Sequence, residues 1–282
     1  MIPTPDTATA AVTSTSSPQV PGAAAVNGAR NRALFTNFFR RELITRYLGS
    51  VTGLAWALLN PILLLAVYHF VFTTIFPARG FGGSSFLAFL AVALWPWLAT
   101  QEAIQRGTTT LPGYAGLIRK VAFPHELVVY ASVAATFALQ FAGYLAILLI
   151  LRIAGEPLHL AGLVVVIPLW LILVIGVTGI ALALSALQVF IRDVEHVLTP
   201  VLMMFMYLTP ILYPITAVPA AVRPWLAANP FGWIVGRMRD ALLEGRVGFV
   251  WEDLAALLVA LVLWVAGRWV FRRLSPHFED FV

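Results

Sequence analysis

Residues 160–187 read LAGLVVVIPLWLILVIGVTGIALALSAL, without one acidic, basic or amide side chain. That run exceeds the roughly 20 residues a helix needs to cross the hydrocarbon core of a bilayer. No water there pairs with backbone N–H and C=O groups, so the segment is helical. Five more runs qualify by length and apolarity, near 54–76, 86–105, 127–151, 198–216 and 253–272. The expected fold is therefore all-α and integral to the membrane, with six transmembrane helices and both termini on one side. Composition agrees: 60% of the 282 residues are hydrophobic and 11% charged, where a soluble domain carries roughly 25% charged residues.

Orientation follows from the basic residues. With the N terminus inside, the inner pieces hold Arg30, Arg32, Arg40, Arg41, Arg46, Arg106, Arg119, Lys120, Arg192, Arg268, Arg272 and Arg273. The outer pieces hold Arg79, Arg152, Arg223, Arg237, Arg239 and Arg246, four of them in one long connection where the charge bias is weakest. Both termini are expected to be cytoplasmic. The net charge of +5 is small enough to serve orientation alone, and no nucleic-acid partner is expected. The chain has no cysteine, which excludes disulfides, thiolate metal sites and thiol nucleophiles.

Residues 1–29 are rich in Ala, Ser, Thr and Pro, lack the layout of a signal peptide, and read as a disordered tail. In 30–47, Leu34, Phe35, Phe38, Phe39, Leu43 and Tyr47 recur at three- and four-residue steps with Arg40, Arg41 and Arg46 between them. This pattern predicts an amphipathic helix in the membrane interface. Gly49-x-x-x-Gly53 and Gly232-x-x-x-Gly236 permit close backbone approach. The stretch LTPILYPITAVP (208–219) sets Pro210, Pro214 and Pro219 at the end of the fifth run. Proline breaks helices, so these residues end that span. Two short apolar pieces follow, near 219–228 and, after Asn229-Pro230, 231–243. Each is too short to cross, so re-entrant or interfacial helices on the outer side are expected.

No recognisable catalytic device is present. The only lysine, Lys120, stands between Arg119 and Val121 and cannot complete a phosphate-binding loop. His69, His125, His159, His196 and His277 include no HExxH pair, so no metal site is expected, and no G-x-S-x-G elbow occurs. His69 reads as a buried polar helix contact. Glu102, beside Gln101, ends the second predicted span and suits an interfacial role. The spans are almost free of charge at mid-depth, which argues against an ion-coupled carrier.

Two inner connections mix apolar and charged residues. RGTTTLPGYAGLIRKVAFPHE (106–126) predicts a short amphipathic helix built on Leu117, Ile118, Val121 and Phe123, with Arg119 and Lys120, ending at Pro124. Such a helix fits a groove in a partner domain or rests on lipid. FIRDVEHVLTP (190–200) groups Arg192, Asp193 and Glu195, as a solvated turn or a second contact for that partner. Of the aromatic residues, Trp56, Tyr68, Trp95, Trp97, Tyr207 and Tyr213 are candidates to line a path for sugars, with interfacial anchoring and packing as the alternative.

Four stretches together resemble ABC-2 type polysaccharide export permeases: RRELITRYLGSVTGLAWALLNPILLLAVYHFVFTTIF (40–76), LIRKVAFPHEL (117–127), FIRDVEHVLTPVLMMFMYLTPILYP (190–214) and LAANPFGWIVGRMRDALLEG (226–245). The resemblance covers roughly residues 35–275 and is strongest to membrane subunits exporting O-antigen, teichoic acid and capsular polysaccharide. It implies an ABC-2 transmembrane domain over 30–282, a homodimer, and two ATP-binding cassette subunits that hold ATP and magnesium, this chain having no cofactor and no enzymatic activity of its own. It implies that Leu117, Ile118, Arg119, Lys120, Phe123 and Pro124, with Arg192 and Asp193, couple to the ATPase. Pro210, Pro214, Asn229 and Pro230 would belong to an outer gate. The implied substrate is a polymer on a polyprenyl diphosphate, moved across the bacterial inner membrane. Arg40, Arg41 and Arg46 are candidates to attract its diphosphate. Tyr114-Ala115-Gly116 departs from the family, which often carries asparagine there. Drug or lipid exporters of the same fold, a secondary carrier and a membrane-embedded enzyme are the competing readings; no catalytic polar cluster favours the last.

Overall fold

The computed structural model describes residues 23–47, 53–75, 85–121 and 123–281. Within these residues there is no strand, and eleven α-helices follow in order: α1 (Ala23–Tyr47), α2 (Gly53–Phe70), α3 (Phe86–Gly113), α4 (Ala115–Ile118), α5 (Glu126–Ile153), α6 (Leu163–Phe190), α7 (Val194–Tyr207), α8 (Arg223–Ala227), α9 (Pro230–Leu243), α10 (Trp251–Leu274) and α11 (Phe278–Phe281). Four helical stretches are long and apolar enough to cross a membrane: Phe86–Gly113, Glu126–Ile153, Leu160–Phe190 and Trp251–His277. The first and fifth expected spans are represented by shorter apolar helices, Leu59–Ile75 and Val194–Tyr207.

Several boundaries differ from the sequence reading, each for a local reason. α1 begins at Ala23 and takes in residues assigned to the tail, because Ala23, Ala24 and Ala25 are strong helix formers. α3 runs eight residues past the predicted end at 105, so the expected helix within 106–126 shrinks to the single turn α4. α7 stops at Tyr207, short of the predicted 216, since Pro210 and Pro214 cannot continue the backbone ladder. The two short apolar pieces are helical, as α8 and α9. Asn229 caps α9, accepting at Oδ1 from the Phe231 amide at 3.0 Å, and Pro230 takes the first helical position, where its missing N–H costs nothing.

α3 is the centre of the bundle. Ala88, Leu90, Ala91, Val92, Ala93 and Leu94 have no exposed surface, and α5, α6, α7 and α9 all pack on it. Its start is capped by Ser85, whose hydroxyl accepts from the Ala88 amide at 3.1 Å. Pro96 removes one amide from the helix and so frees the Val92 carbonyl; the buried Tyr144 hydroxyl of α5 donates to that carbonyl at 3.3 Å.

α6 and α10 make the most extensive helix pair. The pairing needs glycine: a Cβ on Gly179 would collide with the Leu263 carbonyl, and one on Gly267 with the Gly179 carbonyl. In lipid, helix association relies on such close approach, because hydrocarbon gives no hydrophobic drive between helices. The outer face of α10 is bare, with Leu254, Leu258, Val262, Val265 and Trp269 all more than half exposed. Gly267→Val should lower stability by roughly 1–3 kcal/mol or more, as overpacking does. Gly236→Ala, where the added Cβ meets nothing within 4 Å, should be neutral to stabilising by up to about 1 kcal/mol, from the better helix propensity of alanine. Thermal unfolding of the detergent-solubilised protein distinguishes them.

Candidate functional site

At one end of the bundle α1, the 114–124 segment, the start of α5 and the ends of α6 and α10 come together. Phe38, 7% exposed, sits edge-on to Tyr114 at 5.5 Å between ring centroids and tilted against Phe123 at the same distance. The Tyr114 hydroxyl donates to the Glu42 carboxylate at 3.1 Å, and the Arg41 guanidinium lies 4.7 Å over the Tyr114 ring. Burial first, then the Glu42 carboxylate, pushes the Tyr114 phenol up to about 12, so it stays protonated and keeps its donor role at neutral pH. The segment is thereby split. Ile118 is buried and Leu117 and Phe123 pack on the core, whereas Arg119, Lys120, Val121 and Pro124 are exposed.

Nearby, Arg192 and Asp193 are exposed in the turn between α6 and α7. That turn is held by Gln188, whose amide nitrogen donates to the Arg192 carbonyl at 3.0 Å while its oxygen accepts from the Glu195 amide at 3.0 Å. Arg268 and Arg272 of α10 both donate to Glu126, at 2.9 and 2.8 Å, and fix the start of α5. Phe278 of α11 is fully buried against Phe271, Phe190 and His125. Arg40 is exposed. The side chains of Arg46 and Trp56, like Gly49 and Arg79, lie outside the described residues.

At the opposite end, the prolines after α7 leave carbonyls without helical partners, and Arg239 of α9 supplies them. It is 8% exposed and donates to the carbonyls of Pro210 at 2.7 Å, Ile211 at 2.6 Å and Phe89 at 3.1 Å. Its guanidinium also lies 3.3 Å from the Phe89 ring centroid. One planar fork of five donors suits this job, where a lysine would not. Asn229 adds a second tie, donating to the Thr209 hydroxyl at 2.9 Å, and Pro210 packs against Gly232 so closely that a Cβ there would lie 3.1 Å from the proline ring. Pro214 is half-buried. Arg237 pairs with Asp253 at 3.5 Å and donates to the Arg246 and Gly248 carbonyls.

Between the ends, Trp95 and Trp97 are each 1% exposed. Trp95 donates to the Gln140 carbonyl at 2.9 Å; Trp97 stands between Phe231, edge-on at 5.1 Å, and Phe205 at 5.9 Å. Both are packed inside the bundle. Tyr207 is 47% exposed and accepts at its carbonyl from the Tyr213 hydroxyl at 2.8 Å. Tyr68 of α2 is tilted against Phe72, with ring centroids 6.4 Å apart. A cavity of about 420 Å³ lies behind α7, walled by α3, α6, α9 and α10. The Nδ1 of His69 is buried without a partner among the described residues.

Glu102, expected to end the second span in an interfacial role, lies instead level with the middle of a neighbouring helix. Glu102 accepts from Gln140 at 2.6 Å, and Gln140 stands halfway along the 28 residues of α5. Arg106 completes the group, 2.7 Å from the other carboxylate oxygen. The difference arises because α3 continues past 105 to Gly113. The roles of Arg239, Gln188 and Tyr114 have no counterpart in the sequence pattern, because their partners are backbone carbonyls and amides or side chains remote in sequence.

These features describe a multi-pass helical membrane protein with an exposed cluster at one end and a proline-broken, arginine-tied turn at the other. The chain belongs to the ABC-2 type transporter family, whose model matches residues 33–243. It is 29% identical to the O-antigen export system permease protein RfbA of Myxococcus xanthus over 254 residues, covering 88% of this chain and 95% of that protein. The RfbA permease of Klebsiella pneumoniae is 24% identical, covering 85% and 91%. The polysialic acid transport protein KpsM of Escherichia coli is 23% identical, covering 74% and 81%.

Replacing Arg239 by Met should strand the Pro210 and Ile211 carbonyls, each unpaired group costing roughly 1–3 kcal/mol. Arg239→Lys should recover only part of that. Limited proteolysis across 208–222 should cut the Met variant first, the Lys variant next and the parent last.

Proposed function

We propose that this chain is the membrane subunit of an ABC exporter that carries lipid-linked O-antigen polysaccharide across the bacterial inner membrane. The observation that carries this reading is the alignment with O-antigen export permeases along most of both chains. In this reading two copies form the conduit and two ATP-binding subunits, which hold ATP and magnesium, drive it. Six segments cross the membrane, α2 and α7 being the short ones, both termini are cytoplasmic, and α8 and α9 re-enter from the outer side.

The chemistry of the two ends supports that division. The exposed Arg119, Lys120, Val121 and Pro124, beside Arg192 and Asp193, offer a mixed charged and apolar surface to an ATP-binding subunit. Their buried neighbours tie them to α1 and α3, so displacement of the exposed half moves packed helices as units, the ordinary way for a bundle to switch. Arg40, Arg41 and Arg46 attract the diphosphate of the carrier lipid. The Pro210–Pro214 turn with α8 and α9 forms the outer gate. A second reading, export of capsular polysaccharide, is favoured by the polysialic acid transport relatives.

A strain lacking this chain should lose surface O-antigen and accumulate lipid-linked polymer inside. Loss of capsule with O-antigen intact selects the second reading, and unchanged surface glycans with drug sensitivity reject both. In the restored strain, Arg40→Gln, Arg41→Gln and Arg46→Gln together should cut surface polysaccharide while the protein level in the membrane holds. Unaltered export would remove the arginines from the lipid-diphosphate role.

A further inference from the structure

Gln101, Glu102, Gln105, Arg106 and Thr109 occupy one arc of α3, about 140° wide at 100° per residue. The other side of the same turns is buried, with Ala99 and Ala103 fully covered and Ile104 4% exposed. The polar arc is not covered to that degree. Arg106 keeps 46% of its side-chain surface and Glu102 30%, Gln101 and Gln105 are half-buried, and Thr109 is exposed. Polar groups on neighbouring helices flank it: Gln140 of α5 bonds Glu102 at 2.6 Å, and Thr199 of α7 accepts from Gln105 at 3.4 Å.

The Gln140 contact sets Glu102 level with the middle of α5, and the arc runs from there about 10 Å toward the end of α3. Ionisable and amide side chains there are expensive against lipid and belong where they face water, solute or one another. The two charges meet each other at 2.7 Å, so the face is polar but locally neutral. Its remaining capacity is that of the Gln101 and Gln105 amides, each both donor and acceptor, and of the Thr109 hydroxyl oxygen as acceptor, its proton being given to the Gln105 and Arg106 carbonyls at 3.3 Å. An anionic headgroup would call for unmatched cations, and an acyl chain would leave the amides unpaired. A neutral chain of hydroxyl groups matches both requirements.

We propose that the Gln101–Thr109 face of α3 lines the inner half of the translocation path and binds the hydroxyl groups of the glycan in transit. The proposal rests on the export reading above and adds to it a substrate-contacting surface distinct from the aromatic candidates.

Because the chain has no cysteine, single thiols report accessibility directly. Gln101→Cys, Gln105→Cys and Thr109→Cys, co-expressed with the ATP-binding subunit in native membranes, would be treated with a membrane-impermeant maleimide. Val262→Cys and Val265→Cys serve as controls, 67% and 59% exposed on α10, level with the arc because Gly107 of α3 meets Ala181 of α6 and Gly179 of α6 meets Leu263 of α10. Only a thiolate reacts and thiolates need water, so the α3 positions should label at least about tenfold faster than the controls. They should label more slowly in membranes loaded with lipid-linked polymer than in membranes from cells that make none. Labelling no faster than the controls, or unaffected by polymer, overturns the proposal. A role in glycan contact also requires that Gln105→Leu depress surface polysaccharide several-fold at unchanged protein level, with Gln105→Asn restoring most of it. If deleting the chain leaves surface polysaccharide intact, the export reading fails. If deletion abolishes it while the α3 thiols behave as the controls do, only this inference fails.

Discussion

A backbone carbonyl in hydrocarbon must find a donor within the protein, and this obligation organises the molecule. The prolines set the problem. Pro96 removes a donor from the middle of α3, and Tyr144 supplies a hydroxyl in its place. Pro210 and Pro214 end α7, and the guanidinium of Arg239 gathers the carbonyls left behind. Each repair joins two elements that are distant in sequence, so accounting for the backbone also fixes the tertiary fold: α5 to α3, and α9 to both α3 and the turn after α7. The turn is therefore as well satisfied as a helix while having a different shape, which allows the chain to break regular structure at that position.

The opposite end uses other means. There the connection between α3 and α5 is clasped through aromatic contact, with Phe38, Tyr114 and Phe123 in a row, and a carboxylate and a guanidinium on either side of the tyrosine. The clasp divides one short segment into a buried side that belongs to the bundle and an exposed side available to another protein. Tyr114 is the residue that does most to hold the segment.

Apolar runs and the positions of prolines made the helices legible in the sequence, and the Asn229-Pro230 start of α9 could be read from its capping chemistry alone. Side-chain partnerships could not. Glu102 looked peripheral because its helix was ended at the first polar residues, yet those residues continue α3 inward along one face. Arg239 looked like one of several loop cations because its acceptors are carbonyls made available by proline 25 to 30 positions away, a relation no local pattern encodes. Gln188 holds the turn after α6 through two backbone groups, and an isolated glutamine at a helix end carries no signature of that. The glycines of α6 and α10 sit outside any spacing motif, since each meets the other helix rather than its own repeat.

α3 runs without a break from the Ser85 cap to Tyr114. Near its first turn the backbone is gripped by Arg239; just past its last, the chain enters the clasp on α1. At 1.5 Å per residue its 28 residues span about 42 Å. A pivot of about 5° at the centre of such a rod carries each tip through nearly 2 Å, by the geometry of a rigid helix. That is enough to part a hydrogen bond of ordinary length. A small tilt of this helix thus relates, as lever travel, the clasp at one end to the proline turn at the other.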